Sequence, residues 1–380
     1  MPHPLPCNLD PEEQLLLLLS RAWPSPDARD SVSTLLGNSP SPDYPRLVRL
    51  ADVNGVSPLL YHNLTKAGGI PEQVLSRLRN AYLVTFDRNA RHCRETMRVI
   101  GLLRQEGIDA VPLKGSLFSD LVLGDMGLYP TSDLDLLVRP PDLDRAKKIV
   151  MGSGYGEVSG IDEEDQREGS YHLSLDNGTY LLELHWNLVM RYFDARPDFW
   201  WEETARKEYE GAEITLLSPE RYLLYGIFRL FSHGFHPLRF FVLPAGLVNK
   251  YQDALDWDKV LCFAGDLGMK RVTVFALRLL HEFLGTDIPG EISGREVSGY
   301  RVLRQFVVSG FFGEVRRQRL RMSLFTTLLD TPLDTARVLL RRIFPPLSEV
   351  RLRYHLPAGS KKTLAYYLLN PLLLILRKRP

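Results

Sequence analysis

Cysteine is scarce in this sequence: Cys7, Cys93 and Cys262 are the only three in 380 residues, and none forms a CxxC pair. That excludes a disulfide framework and a zinc-ribbon spacing, and it fits a reducing cytoplasm. An uninterrupted apolar run of membrane-spanning length is also missing. The strongest stretch, "LAYYLLNPLLLILRKRP", is broken at Asn370-Pro371 and is too short for a dependable span. Near the other end, "DPEEQLLLLLS" puts acids rather than a basic region ahead of its leucines. It reads as a helix start, with Asp10 as N-cap and Pro11 in the first turn, and not as a secretory leader. No internal repeat is present.

Net charge is nearly absent too, at +1, but the balance is uneven. Residues 301–380 carry 16 Lys+Arg against 4 Asp+Glu, or +12, leaving 31 against 42, or −11, for the preceding 300. An acidic body with a basic tail suits contact with anionic lipid, nucleic acid or an acidic partner. The apolar C-terminus, flanked by Arg377, Lys378 and Arg379, has two readings. It lies on an anionic membrane surface, which would make a cytoplasmic protein peripheral at the inner membrane face. Or it is a final helix packed on the domain, the reading the sequence favours. With 44% apolar and 24% charged residues the composition is that of an ordinary folded protein.

Four regions follow from the patterning. Residues 1–105 read as helical, closing with a long helix from about Ser76 to Gln105 before Gly107. Residues 106–215 form a small α/β core. Its strand candidates are "IDAVPLKG", "SDLDLLV", "YGEVS", "YHLSLD" and "TYLLELHW", the last two joined by the hairpin signal Asp176-Asn177-Gly178. Residues 216–300 return to helix at "LSPERYLLYGIF", where Ser218 caps and Pro219 takes the first position. Residues 301–380 are the basic helical extension. The fold class is therefore α+β, a small mixed sheet embedded in N- and C-terminal helices.

Chemistry concentrates in "PTSDLDLLVR". Residues two apart on a strand share a face, so Asp133 and Asp135 stand together while Leu134, Leu136 and Val138 turn the other way. Two like charges that close repel unless a cation sits between them. Glu183 repeats the design in "TYLLELHW", on one face with Leu181 and His185. Three carboxylates on neighbouring strands suit a hard divalent cation such as Mg²⁺, and two such ions would clamp both oxygens of a phosphoryl displacement. In "LKGS", Gly115 admits an anion close to the backbone, Ser116 offers a hydroxyl, the next residues open a helix, and Lys114 adds charge. Arg139, after the strand, is a further phosphate-contact candidate. His185 is placed to orient the acid or touch substrate.

These motifs resemble the nucleotidyltransferase superfamily of DNA polymerase beta: a hydrophobic residue, Gly, Gly or Ser, a spacer, then Asp-hydrophobic-Asp. More closely, "PLKGSLFSDL", "PTSDLDLLVRPPDLDRA", "GSGYGEV", "LLELHWNL" and "LSPERYLLY" resemble an uncharacterised bacterial nucleotidyltransferase family over roughly Ala81 to Gly285. The resemblance implies a mixed sheet of about five strands and Mg²⁺-dependent transfer of a nucleoside monophosphate from an NTP, with release of pyrophosphate. The acceptor would be a hydroxyl on a small molecule, a sugar-linked intermediate or a protein. It implies that Gly115 and Ser116 hold the triphosphate, that Asp133, Asp135 and Glu183 hold metal, and that Glu183 helps deprotonate the acceptor. The pattern is broken twice: the spacer from Ser116 to Asp133 is a long 16 residues, and Tyr129 stands where relatives often carry arginine. The alternative is therefore a catalytically inactive nucleotide-binding or assembly module. His172, His233 and His236 give little support for zinc, and Ser170 and Ser174 lack a nucleophile-elbow setting.

Overall fold

The computed structural model describes residues 9–38, 41–159, 162–190, 193, 195–313, 324–357 and 359–376. Five helices come first: α1 (Pro11–Leu19), α2 (Pro26–Gly37), α3 (Tyr44–Asn54), α4 (Ser57–Leu64) and the long α5 (Glu72–Gln105). Asp10 caps α1 through a full capping box with Glu13, satisfying backbone donors that the first turn leaves open. The α/β core follows as β1 (Ala110–Pro112), α6 (Gly115–Leu123), β2 (Leu134–Val138), α7 (Leu143–Gly152), β3 (Gly156–Glu157), α8 (Glu163–Gly169), β4 (His172–Asp176) and β5 (Leu181–His185). A separate hairpin, β6 (Ala205–Tyr209) and β7 (Ala212–Leu216), precedes the helices α9 (Pro219–Ser232), α10 (Arg239–Lys250), α11 (Trp257–Asp266), α12 (Lys270–Leu284), α13 (Gly290–Ser293) and α14 (Tyr300–Phe312).

The fold is α+β, with a mixed five-stranded sheet in the order β1-β2-β5-β4-β3. All five expected strands are present. The β4–β5 hairpin turns where expected, with Asp176 and Asn177 side chains accepting from the backbone of Gly178, Thr179 and Tyr180. The β6–β7 hairpin and α8 were not anticipated. Strand β6 is charged and exposed along four of its five residues, and α8 is seven residues with no apolar stripe, so neither carries the hydrophobic periodicity by which elements are recognised, although β7 alternates in "AEITL".

Strand β2 pairs antiparallel with β1 and parallel with β5. It is buried along its whole length, as expected of a strand covered on both faces. Helix α9 bonds to this unit through the Tyr222 hydroxyl, which donates to the Pro112 carbonyl at 2.7 Å. Its base is fixed by Arg221, only 1% exposed, which donates to the Phe199 carbonyl (2.6 Å), Glu203 (3.0 Å) and Glu202 (2.8 Å). Ser218 caps the helix as its sequence indicates.

In the C-terminal region the helix Leu347–Tyr354 packs on α8, where Arg351 pairs with the buried Asp165. The next residue of α8, Gln166, accepts from the Ser174 backbone at 2.8 Å. The last helix, Lys362–Leu376, is only half packed. Asn370, the apparent interruption, is fully buried, accepting from Arg353 and Tyr354 and donating to the Arg342 and Ile343 carbonyls. On another face Leu364, Leu368 and Leu372 are each more than half exposed. Packing, favoured from the sequence, therefore describes one side of this helix. Arg377, Lys378 and Arg379 lie outside the described residues.

Arg221→Met should destabilise the protein by about 2 kcal/mol, since it removes a buried fork of charge-assisted bonds whose acidic partners stay solvated. Urea unfolding followed by circular dichroism measures the loss.

Candidate active site

The polar face of the sheet is built by register. Asp135 stands opposite Glu183 across the parallel β2–β5 pair. His185, two residues on, stands opposite His172 across β4–β5. Asp133 sits just before β2, and Lys114 ends the segment between β1 and α6. Four of the expected residues, Asp133, Asp135, Glu183 and Lys114, thus converge with His185.

Lys114 lies between the two aspartates, its Nζ 2.6 Å from Asp133 Oδ2 and 3.0 Å from Asp135 Oδ2. The cation that the two like charges require is supplied by the chain itself. Burial works against the Lys114 ammonium, but Asp135, aided by Asp133 and Glu183, outweighs it and lifts the amine above its ordinary range. On the other side, His185 Nε2 is 3.0 Å from Asp135 Oδ1 and 3.3 Å from Glu183 Oε2. Burial again opposes the charge, while these two carboxylates outweigh it and raise the imidazole above its ordinary range. Glu183 would be raised by burial, yet the His185 bond and the nearby Lys114 ammonium hold it well below the usual carboxylate range. His172 Nε2 is 3.6 Å from Glu183 Oε1. Burial and the neighbouring His185 press it down to about 4, leaving it neutral.

Gly115 opens α6 in the left-handed region, at φ 89°, where a β-carbon would be strained. Ser116 is 2% exposed, and its Oγ has no hydrogen-bond partner among the described residues. A buried hydroxyl left unpaired at a helix N-terminus matches the donor set an anion would use.

Arg139 is not brought to this cluster. It lies at the far end of β2, about 20 Å along the strand from Asp133, with its guanidinium 4.4 Å from the centre of the Trp201 ring. Adjacency to the motif suggested it, but the carboxylates occupy the start of the strand and Arg139 its end.

The long spacer is an ordered segment. After α6, Asn89 of α5 donates to the Met126 carbonyl (2.6 Å) and the Tyr129 carbonyl (2.7 Å), and its Oδ1 accepts from Thr131 (2.6 Å). The loop is thereby clamped onto α5 immediately before the aspartates. The Tyr129 side chain is buried and lines a small cavity of about 20 Å³ together with Lys114, Tyr225 and Arg229. Arg229, on α9, was missed from the sequence. Burial works against its charge, but the nearby Asp135 and Asp133 carboxylates outweigh that cost and hold the guanidinium above its ordinary range. An arginine charge therefore does face the Tyr129 segment, from a helix a hundred residues later. The available signal was a lone cation inside "GIFRLF".

Two ligand groups share Glu183. The side-chain oxygens of Asp133, Asp135 and Glu183 lie within 4.8 Å of one another, as do the donor atoms of His172, Glu183 and His185. The first set is all oxygen and compact enough for one hard divalent cation, although Lys114 stands on two of its members. His172 thus neighbours His185 instead of His233 and His236, which pack against Phe240 and Phe311.

Residues 40–285 match the model of a family described as an uncharacterised nucleotidyltransferase. No curated protein and no solved structure matches.

Lys114→Met should cost about 3 kcal/mol, because it strands Asp133 and the buried Asp135 side by side. Adding Asp133→Asn should recover part of that loss, a coupling read from a double-mutant cycle in urea unfolding.

Proposed function

We propose, for a chain that belongs to the uncharacterised nucleotidyltransferase family, that it transfers a nucleoside monophosphate from an NTP to a hydroxyl acceptor within a fold like that of DNA polymerase beta. The observation that carries this reading is the convergence of Asp133, Asp135 and Glu183 on two parallel strands, beside a helix that opens with Gly115 and an unpaired Ser116 hydroxyl. In the reaction the acceptor oxygen bonds to the α-phosphorus, the bond to the β-phosphate oxygen breaks, pyrophosphate leaves, and the acceptor proton passes to a base. Asp133, Asp135 and Glu183 would hold Mg²⁺, as one ion or two, which when bound supplies charge neutralisation at the phosphates.

The remaining roles fall to the chain's own groups. Gly115 and Ser116 bind phosphate oxygens through the backbone and the hydroxyl. Lys114 and Arg229 offset the charge of the triphosphate, and Lys114 gives up an aspartate oxygen when it turns to phosphate. Glu183, kept ionised by His185, receives the acceptor proton at its carboxylate. His185 positions Glu183 and Asp135 through its Nε2–H.

A second reading, a module that binds nucleotide without turnover, draws on Lys114. Its ammonium already sits between Asp133 and Asp135, so part of their repulsion is offset without any ion.

A further proposal concerns the C-terminal region. Among the described residues no helix is long and apolar enough to cross a membrane. The exposed Leu364, Leu368 and Leu372, together with Lys361, Lys362 and the arginines of the helix Pro332–Ile343, suit an anionic lipid surface. The chain would then sit peripherally at the cytoplasmic face of a membrane.

Calorimetric titration with ATP, the other NTPs and their non-hydrolysable analogues tests the enzyme reading. Binding that requires Mg²⁺ and falls at least a hundredfold in Asp133→Asn/Asp135→Asn is expected. A well-folded wild type that binds no NTP would sink it, and binding without pyrophosphate release for any hydroxyl acceptor would favour the module. In flotation assays, wild type should rise with vesicles containing phosphatidylserine, and Leu364→Glu/Leu368→Glu should stay at the bottom. Equal flotation of both would remove the membrane contact.

A further inference from the structure

Away from the carboxylates, a cavity of about 660 Å³ opens where the end of α6, the end of α10, the segment after α1 and the C-cap of α12 meet. That volume is in the range of small-molecule sites. Its innermost charged group is Arg21, 5% exposed. The Nε and Nη2 atoms of Arg21 are buried and have no hydrogen-bond partner among the described residues. Removing a guanidinium from water without a partner is costly, and buried charges are ordinarily paired. Arg221, which the fold buries just as deeply, shows the usual solution, with every arm of its fork satisfied.

The position of Arg21 is built. Asn63 of α4 donates to the Leu19 and Arg21 carbonyls, both at 2.9 Å, fixing the backbone on either side of the turn. At the C-cap of α12 Gly285 makes room for the guanidinium: a β-carbon there would come within 2.7 Å of Nη1 and 2.9 Å of Cζ. The cavity also holds Lys250, from the last turn of α10, and Trp23, 44% exposed. Asp287, on the same wall, accepts from Gln252 at 2.9 Å and lies farther than ion-pair distance from Arg21. Burial alone, with no acid to oppose it, pulls the Arg21 pKa down to about 10.

We infer that this cavity binds a small metabolite bearing an oxyanion, a phosphate or a carboxylate, seated on the Arg21 guanidinium. Arg21 and Lys250 take the anion, since a planar fork matches two oxygens at once. Trp23 offers an apolar face to the body of the ligand, and Asp287 and Gln252 suit hydroxyl groups. The site is separate from the proposed triphosphate site: α6 runs between them, with Ser116 at one end and Leu123 at the other, about 10 Å apart by helix rise.

Thermal unfolding of the full chain in inorganic phosphate, in malonate, and in sodium chloride at matched ionic strength tests this. The wild-type midpoint should rise by about 3 °C at a hundredfold excess of ligand over Kd. Phosphate protection alone marks a phosphate ester as the ligand class, and malonate protection alone marks a carboxylate. Arg21→Met should unfold at a higher temperature than wild type in chloride, because it removes an unpaired buried charge, and should lose the anion-specific rise. Asp133→Asn/Asp135→Asn should retain that rise, which separates this site from the nucleotide reading. Absence of anion-specific protection in wild type overturns the inference, whether or not Arg21→Met folds. So does an Arg21→Met protein that keeps the rise, or one less stable than wild type in chloride.

Discussion

Two carboxylates side by side at the start of one strand, one of them fully buried, need a cation between them, and here Lys114 supplies it from the neighbouring turn. Asp135 has no exposed side-chain surface, and Lys114 approaches one of its oxygens while His185 approaches the other. Much of the surrounding architecture keeps that alternation in place. The β1–β2 pairing brings Lys114 to the aspartates, the β2–β5 register brings Glu183 opposite Asp135, and Asn89 clamps the loop that delivers Asp133. A slip of one residue in either pairing would turn the acids into the apolar side of the sheet.

Three deeply placed arginines show three ways of tolerating that charge. Arg221 is paired on every arm and serves to hold α9. Arg229 faces the aspartates together with Lys114, so its charge is part of the site. Arg21 has neither kind of partner, which is why its cavity reads as a binding site and not as structure. The difference lies in what surrounds each guanidinium, because burial alone is common to Arg21 and Arg221.

The sheet and its acids were legible because strands write a period of two into sequence, and an acid inside such a run stands out. Asp133, Asp135 and Glu183 could be placed on one face before any contact was known. Lys114 was named, but as a phosphate ligand. Its position between the aspartates depends on a pairing that spacing along the chain does not express. Arg139 misled because adjacency to a motif is not adjacency to its working end. Arg229 was hidden because an arginine in an apolar helix usually extends to solvent, and only the packing of α9 over the sheet decides otherwise. The Arg21 cavity has no sequence signature, since four separate segments build it. The same holds for Asn370, which reads as a helix breaker and instead ties together the ends of two other helices.

The β2–β5 pairing also bears on how the molecule comes into being. Asp135 and His185 are 50 residues apart, and contacts of that span are made only after a long loop has been closed at an entropic cost. Until β5 docks, Asp135 can remain hydrated and needs no counter-charge. When the sheet closes, water leaves and His185 and Glu183 arrive in the same event. A half-formed sheet would hold a desolvated acid with only one of its two hydrogen-bonding partners, a state that costs more than the closed sheet. The polar face that gives the site its chemistry therefore also sharpens the cooperativity with which the sheet forms.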